Sequence, residues 1–345
     1  MPKYQVKLTP TSSFFFGTEK HSGLAENEDT IANYFVESNL YPQQTTILGA
    51  LRYFLLQNAS DLVFKNNRIQ DRKLASDLIG PSSFGMNESL QGFGEIEKIG
   101  PLYLLKDNES FRFGPYDHGS SMDADGTLLN DSKKQYTAKY HAAFIAEKLV
   151  NAKGESEKLS DIIKDQVQVG NKKNSEEEGY YKQNLKFMIK DWAFAVELET
   201  ENELKNETKF VTLGGEKSIF KIEFTPLDSS QVANGMPKFD RQQSYIFCQS
   251  DCYLETSPLQ EFASWGITEA VSFRNLRATV KDTNKYASLN VKDANKLKRT
   301  HRLNLLKRGS IIYFDKPENL KKAIELFQKQ ENAIKIGFNH ITIQK

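Results

Sequence analysis

At roughly 150 residues per domain, 345 residues predict two ordinary domains or one very large one. With 39% hydrophobic and 26% charged residues, no apolar run near the roughly 18 to 20 that cross a bilayer and no charged-then-apolar start, a membrane-spanning or secreted protein is excluded and a cytoplasmic one expected. Lys and Arg number 46 against 45 acids, a net charge of +1, which as an average argues against a nucleic-acid partner.

Residues 3–9 alternate and predict a strand, followed by a turn through Thr11-Ser12-Ser13 and Phe14-Phe15-Phe16-Gly17. Behind Pro42, with a threonine near the N-cap, Ile47, Leu48, Leu51, Leu55 and Leu56 recur at three- and four-residue steps and predict the first helix. Gly-Pro and Gly-Ser pairs between 80 and 135 mark turns, with short strands at 101–105 and 110–114, and a helix is predicted at 140–150. A polar stretch at 151–178 precedes strands at 180–189 and 192–199, joined by a turn at Lys190-Asp191, and residues 209–224 read as strand, Gly-Gly turn, strand. A domain boundary is placed near Pro226. Beyond it come a strand at 244–255, a loop through Trp265-Gly266, a basic segment at 271–308, a strand at 310–315, a helix at 319–330 and a strand at 334–343. Strand–helix–strand after paired strands is the signature of a ferredoxin-like half, and the N-terminal part is read as a second, heavily inserted copy.

Metal and nucleophile chemistry are poorly supplied. Cys248 and Cys252 have no histidine nearby and read as buried thiols, and Asp123-Ala124-Asp125-Gly126 lacks the acids that a calcium loop needs at its first and twelfth positions. The five histidines, His21, His118, His141, His301 and His340, are scattered. No metal site or cofactor is expected.

Charge is unevenly spread. Between Val271 and Ser310, eleven basic residues face only Asp282 and Asp293, a local charge of +9 on a body of −8. With Phe273, Tyr286 and His301 interleaved, this segment fits either a strand-tracking nucleic-acid contact or a solvated Lys-rich insertion. Gly214-Gly215-Glu216-Lys217-Ser218 fits a phosphate cradle or, more simply, a hairpin turn.

Several of these pieces, in order, resemble one family. Tyr41-Pro-Gln-Gln-Thr-Thr-Ile-Leu-Gly-Ala-Leu-Arg52 is similar to the first helix of RAMP (repeat-associated mysterious protein) subunits of CRISPR effectors. Val169-Gly170 with Gly179-Tyr180-Tyr181, Val211-Thr-Leu-Gly-Gly-Glu216, Gly309-Ser310 with Tyr313-Phe314, and Ile336-Gly337-Phe338 resemble its later motifs. The chain departs from the family at Leu306-Lys307-Arg308 and at Asn339. Together these motifs resemble the third Cmr subunit of type III-B systems, in the Cas-five-like group.

That resemblance implies an α+β fold of two ferredoxin-like (RNA-recognition-motif-like) domains: residues 1–226 with an insertion at about 80–165, and residues 227–345. It also implies an antiviral, non-catalytic subunit that holds the repeat-derived 5′ tag of the crRNA. Such a subunit docks against the large polymerase-type subunit and a backbone subunit, with the target RNA 3′ flank nearby. The RNA-contacting residues expected are Thr45, Thr46 and Arg52, then Gly214, Gly215, Lys217 and Ser218, then Arg274, Arg277, Arg299, His301 and Arg302. Lys172 and Lys173 are assigned to a hairpin that wedges against the RNA. The alternatives are a metal-independent endoribonuclease that processes repeat RNA with a catalytic histidine, and a protein-only interaction module.

Overall fold

The computed structural model describes residues 1–17, 34–81, 83–86, 90–115, 121–122, 128–129, 147–174, 177–204, 208–214, 218–227, 244–254, 259–278 and 297–344. β1 (Lys3–Pro10) buries Tyr4, Val6 and Leu8 and leaves Lys3, Gln5, Lys7 and Thr9 half-buried, the period-2 pattern of a strand with one core face. After β2 (Tyr34–Glu37), α1 (Gln44–Asn58) sends Ile47, Leu48, Leu51, Phe54 and Leu55 into the same core. Its N-cap is Gln43, which makes no side-chain bond, so Thr45 and Thr46 lie inside the first turn.

The small hairpin of β3 (Phe64–Lys65) and β4 (Arg68–Ile69) leads to α2 (Arg72–Ile79), whose N-cap Asp71 accepts from the amides of Lys73 and Leu74. β5 (Ile96–Ile99), β6 (Tyr103–Lys106) and β7 (Glu109–Phe113) come next, then the two-residue ladder β8 (Ser121–Met122) with β9 (Leu128–Leu129). β10 (Lys148–Val150), β11 (Ser156–Lys158) and the single turn α3 (Leu159–Ile162) precede a long hairpin, β12 (Ile163–Asn174) and β13 (Glu177–Met188). β14 (Trp192–Thr200), β15 (Lys209–Leu213) and β16 (Ser218–Pro226) follow.

One nine-stranded sheet runs β11-β10-β7-β6-β14-β1-β16-β15, with β5 also paired to β14. Val6 sits at its centre, opposite Val196 on one side and Phe224 on the other. A second, three-stranded sheet has the order β12-β13-β2, with β2 parallel to β13.

The remaining chain supplies β17 (Ser244–Cys248), α4 (Leu259–Phe262), β18 (Trp265–Ile267), β19 (Ala270–Phe273), β20 (Leu276–Ala278), β21 (Leu297–Arg299), β22 (Leu303–Leu306), β23 (Ile311–Phe314), α5 (Pro317–Gln328), α6 (Glu331–Lys335) and β24 (Ile341–Gln344). β18-β23-β17-β24 form a four-stranded antiparallel sheet, covered by Leu320, Ala323 and Phe327 of α5. The main core does not stop at residue 226. Tyr253, Phe273, Leu305, Ala333, Ile336 and Phe338 pack into the cluster built around β1 and α1.

Six expectations change. Residues 130–146 lie outside the described residues, and Lys148–Val150 is the strand β10, because Leu149 and Val150 are held between β7 and β11 rather than turning as a helix. The strand predicted at 244–255 ends at Cys248, Trp265-Gly266 is an edge strand on β23, and 180–189 and 192–199, although both strands, enter different sheets across Asp191 at φ 71°. The strand at 334–343 shrinks to Ile341–Gln344, since the preceding residues form α6 and Gly337 turns the chain at φ 95°. Phe14 and Phe16 are no surface turn: Phe14 bridges to Lys186 and packs edge-on against Phe194 at 5.6 Å, while Phe16 stacks on Phe220 at 5.9 Å.

Candidate nucleic-acid interface

The basic segment folds into a two-tier antiparallel ribbon. β19 pairs with β22, ending at Phe273 opposite Leu303, and β20 pairs with β21, beginning at Leu276 opposite Arg299. Between the tiers, two residues (Arg274 and Asn275) face three (Thr300, His301 and Arg302), a bulge-like offset that re-aims the strands. The Asn275 amide donates to Thr300 Oγ1 at 3.1 Å and the Thr300 amide to the Asn275 carbonyl at 2.9 Å. Asn275 Nδ2 donates to the Phe84 carbonyl at 2.6 Å, which ties the joint to the body. Phe273, Phe84 and Phe338 pack beneath it, with ring centroids 5.5 and 6.2 Å from that of Phe338.

The ribbon therefore gathers Arg274, Arg277, Arg299, His301 and Arg302 along the backbone at one joint, with His301 and Arg302 exposed. An antiparallel ribbon carrying cations along both strands, tied to the body at Asn275, can follow a phosphodiester strand. Residues 279–296, with Tyr286, lie outside the described residues.

Among the described residues, Lys307 and Arg308 of the basic segment face inward. Arg308 stacks over Tyr41 at 4.3 Å and Phe113 at 4.9 Å and forms an ion pair with Asp251 at 3.0 Å, its side chain only 1% exposed. Burial works to lower its pKa, but Asp251 together with Tyr41 and Glu147 holds it above the ordinary arginine value. Burial, then Glu147, pushes the Tyr41 phenol well up. Lys307 pairs with Glu147 at 2.5 Å and Glu269 at 3.1 Å. Both belong to the Leu306-Lys307-Arg308 stretch that departs from the RAMP resemblance, and their charge holds the ribbon's base rather than facing a ligand. Counting charges along the sequence could not separate them from the others; the isolated Asp251 between Cys248 and Cys252 was the only available hint.

The Gly turn is built as a joint. Gly214 takes φ 83°, and a Cβ there would lie 2.1 Å from the Phe15 carbonyl oxygen. Ser218 Oγ accepts from the Phe15 amide at 3.1 Å. Both described residues of this turn therefore clasp the Phe14–Phe16 segment; Gly215 and Lys217 lie outside the described residues.

On α1, Thr45 and Thr46 are half-buried in the first turn. Arg52 turns inward, its guanidinium 5.4 Å from the Phe93 ring centroid, and burial pulls its pKa down to about 10. The residue that sequence reasoning missed is Gln44. It is fully buried and its Nε2 donates to the carbonyls of Gly100 at 3.2 Å and Gly337 at 3.0 Å, joining the helix start to the β5–β6 turn and to the turn after α6. Lys172 and Lys173 stand near the tip of the β12–β13 hairpin, opposite Gly179 and Glu178, and Gly170 stands opposite Tyr181.

Among the described residues no group of histidines, cysteines and carboxylates could hold a metal ion. Cys248 and Cys252 are free and buried, and burial raises the Cys252 thiol. His340 is largely buried, its Nε2 3.3 Å from the Ile334 carbonyl oxygen; His21, His118 and His141 lie outside the described residues, as does Asp123–Gly126. No described helix is long and apolar enough to cross a membrane.

No protein-family profile and no curated protein sequence matches the chain. Solved structures do. A chain of the cryo-EM structure of the Type III-B Cmr-beta bound to cognate target RNA superposes with a TM-score of 0.50 at 16% identity, covering 99% of each chain. A chain of the same assembly bound to cognate target RNA and AMPPnP, state 1, gives 0.47 at 17%, covering 98% of this chain and 96% of that one. A chain of the Csm3-Csm4 subcomplex of the type III-A CRISPR-Cas interference complex gives 0.35 at 12%, covering 90% and 92%. The first establishes a shared fold over essentially the full length; the other two add nothing to it.

Proposed function

We propose that this chain is a RAMP-type subunit of a type III CRISPR effector, corresponding to the third Cmr subunit, and that it grips the 5′ tag of the crRNA without cleaving RNA. The observation that carries this reading is the ribbon, which brings five of the expected RNA-contacting residues to one anchored joint. The ordered motifs and the fold shared with a chain of an RNA-bound type III-B assembly support it. The C-terminal sheet is read as a ferredoxin-like half: β17, α4, β18, β23, α5 and β24 follow one another in the chain and lie in the spatial order β18-β23-β17-β24. In this reading β1 with α1 and the β15–β16 hairpin form the partner half, and the ribbon is an insertion between β18 and β23.

The subunit works in the cytoplasm beside the large polymerase-type and backbone subunits, near the target RNA 3′ flank. Single-stranded tag RNA is held by cations and amides, with bases read only where they splay onto side chains. Replacing Arg274 and Arg277 together by Ala lowers the slope of log affinity against log salt by about 1.4, the loss of two phosphate contacts on a single strand. An unchanged slope removes the ribbon from the site. Incubation with repeat RNA in EDTA addresses the nuclease reading: cleavage lost on His21→Ala or His301→Ala would replace the scaffold by a metal-independent endoribonuclease.

A further inference from the structure

Among the described residues, the β12 border of the three-stranded sheet is unpaired. β13 is paired on both sides: Lys186 exchanges both backbone bonds with Phe14, at 2.8 and 2.9 Å, and the Asn184 carbonyl accepts from the Ser38 amide at 3.2 Å. In an antiparallel ladder, directly opposed residues either bond to each other or both turn their backbone groups away. Asp165 lies opposite Lys186 and Val167 opposite Asn184, so Asp165 and Val167, and Val169 by alternation, aim their N–H and C=O groups outward from β12. The Ile189 amide, bonded to the Ile162 carbonyl at 2.9 Å, fixes the same phase from the other end.

β12 is the outermost strand, and among the described residues no other strand pairs with that side. Residues 164–169 are all exposed, with Val167 at 52% and Val169 at 63%. The register with β13 runs one-to-one from Ile163 to Asn174, without a bulge, and contains no proline. Chains normally blunt a long flat edge of this kind with proline, a bulge or charge; here the charges at the edge, Lys164 and Asp165, are already paired with Asp161 and the buried Lys186.

We propose that the outer edge of β12, at Asp165, Val167 and Val169, receives an extended strand of a neighbouring protein subunit by β-addition. The exposed donors and acceptors supply the backbone complement, and the two valines pack against alternate apolar residues of the incoming strand. A second copy is the less suitable occupant. The edge offers six residues a side, against roughly 20 to 30 a side in an interface that is stable by itself, so it suits a partner already held by other contacts. RNA lacks the alternating donor–acceptor backbone that would match the edge. The inference rests on the reading of this chain as an assembly subunit, but not on which subunit it is or on its RNA site.

Hydrogen exchange on the full chain, alone and in the assembly purified by co-expression with the products of the neighbouring genes, tests it. In the free chain the amides of Asp165, Val167 and Val169 exchange at least about tenfold faster than those of Lys164, Gln166 and Gln168, which bond to β13. In the assembly all six are slow. Val167→Pro removes only an outward donor; it reduces recovery of the neighbour holding this edge severalfold, and by more than Val167→Ala, which trims the packing contact but keeps the donor. The proposal falls if the three amides stay fast in the assembly or if the chain is recovered alone. Slowing that depends on the concentration of the isolated chain assigns the edge to a second copy instead. Slow amides in an assembly that carries no RNA leave this inference standing and overturn the RNA reading.

Discussion

Gln44 and Gly337, 293 positions apart, are joined by a hydrogen bond of 3.0 Å from the side-chain Nε2 of Gln44 to the Gly337 carbonyl. A Cβ on Gly337 would lie 2.3 Å from that nitrogen and 2.5 Å from the Gly100 carbonyl, at a φ of 95° that side chains rarely adopt. Gly337→Ala therefore combines backbone strain with overpacking, and a loss of about 2–4 kcal/mol in urea unfolding is expected.

Asp251 and Arg308 form a buried pair with aromatic rings on the arginine. Asp251→Asn or Arg308→Met alone leaves one charge uncompensated and costs about 3–5 kcal/mol, whereas Asp251→Leu with Arg308→Met costs less than either single change. Denaturant titration of the three variants checks this.

His340 gives a pH dependence of known sign. Burial, then Lys98, pulls its pKa to about 4 from an ordinary 6.5, with the Ile334 carbonyl acting in the opposite direction. The native ring stays neutral where the unfolded ring is protonated. Its contribution, at most about 3 kcal/mol, is complete above pH 6.5 and lost as pH falls towards 4. His340→Gln removes that part of the loss, read as the difference between wild-type and variant stability across this window.

Ser218 separates structure from binding. Ser218→Ala removes the acceptor for the Phe15 amide and costs about 1–2 kcal/mol. The salt slope of RNA binding stays unchanged, in contrast to Arg274→Ala with Arg277→Ala.

Local patterns were legible where one face decides the element. The alternation of β1, the three-and-four spacing of α1 and the Gly-Gly hairpin of β15 and β16 follow from which side chains must leave water. Lys148–Val150 was not legible, because a tertiary ladder overrides a helical period, and neither was the inward turn of Phe14 and Phe16, which depends on Phe194 and Phe220 far along the chain. For the site, the basic segment stood out by charge alone. Its division into Arg274 and His301 at the joint and Lys307 and Arg308 at the buried base depends on Asp251, Glu147 and Glu269, whose proximity only the fold creates.

The reach of the main core also orders events during synthesis. Ala333, Ile336 and Phe338 complete a cluster begun by Tyr4, Val6 and Ile47, so the opening third of the chain leaves the ribosome well before the residues that close its interior. Its apolar surfaces stay open through most of translation, and contacts of such sequence separation form late and slowly. For this protein the vulnerable period is the one before Phe338 emerges, when a chaperone or a waiting partner does most to keep the chain from aggregating.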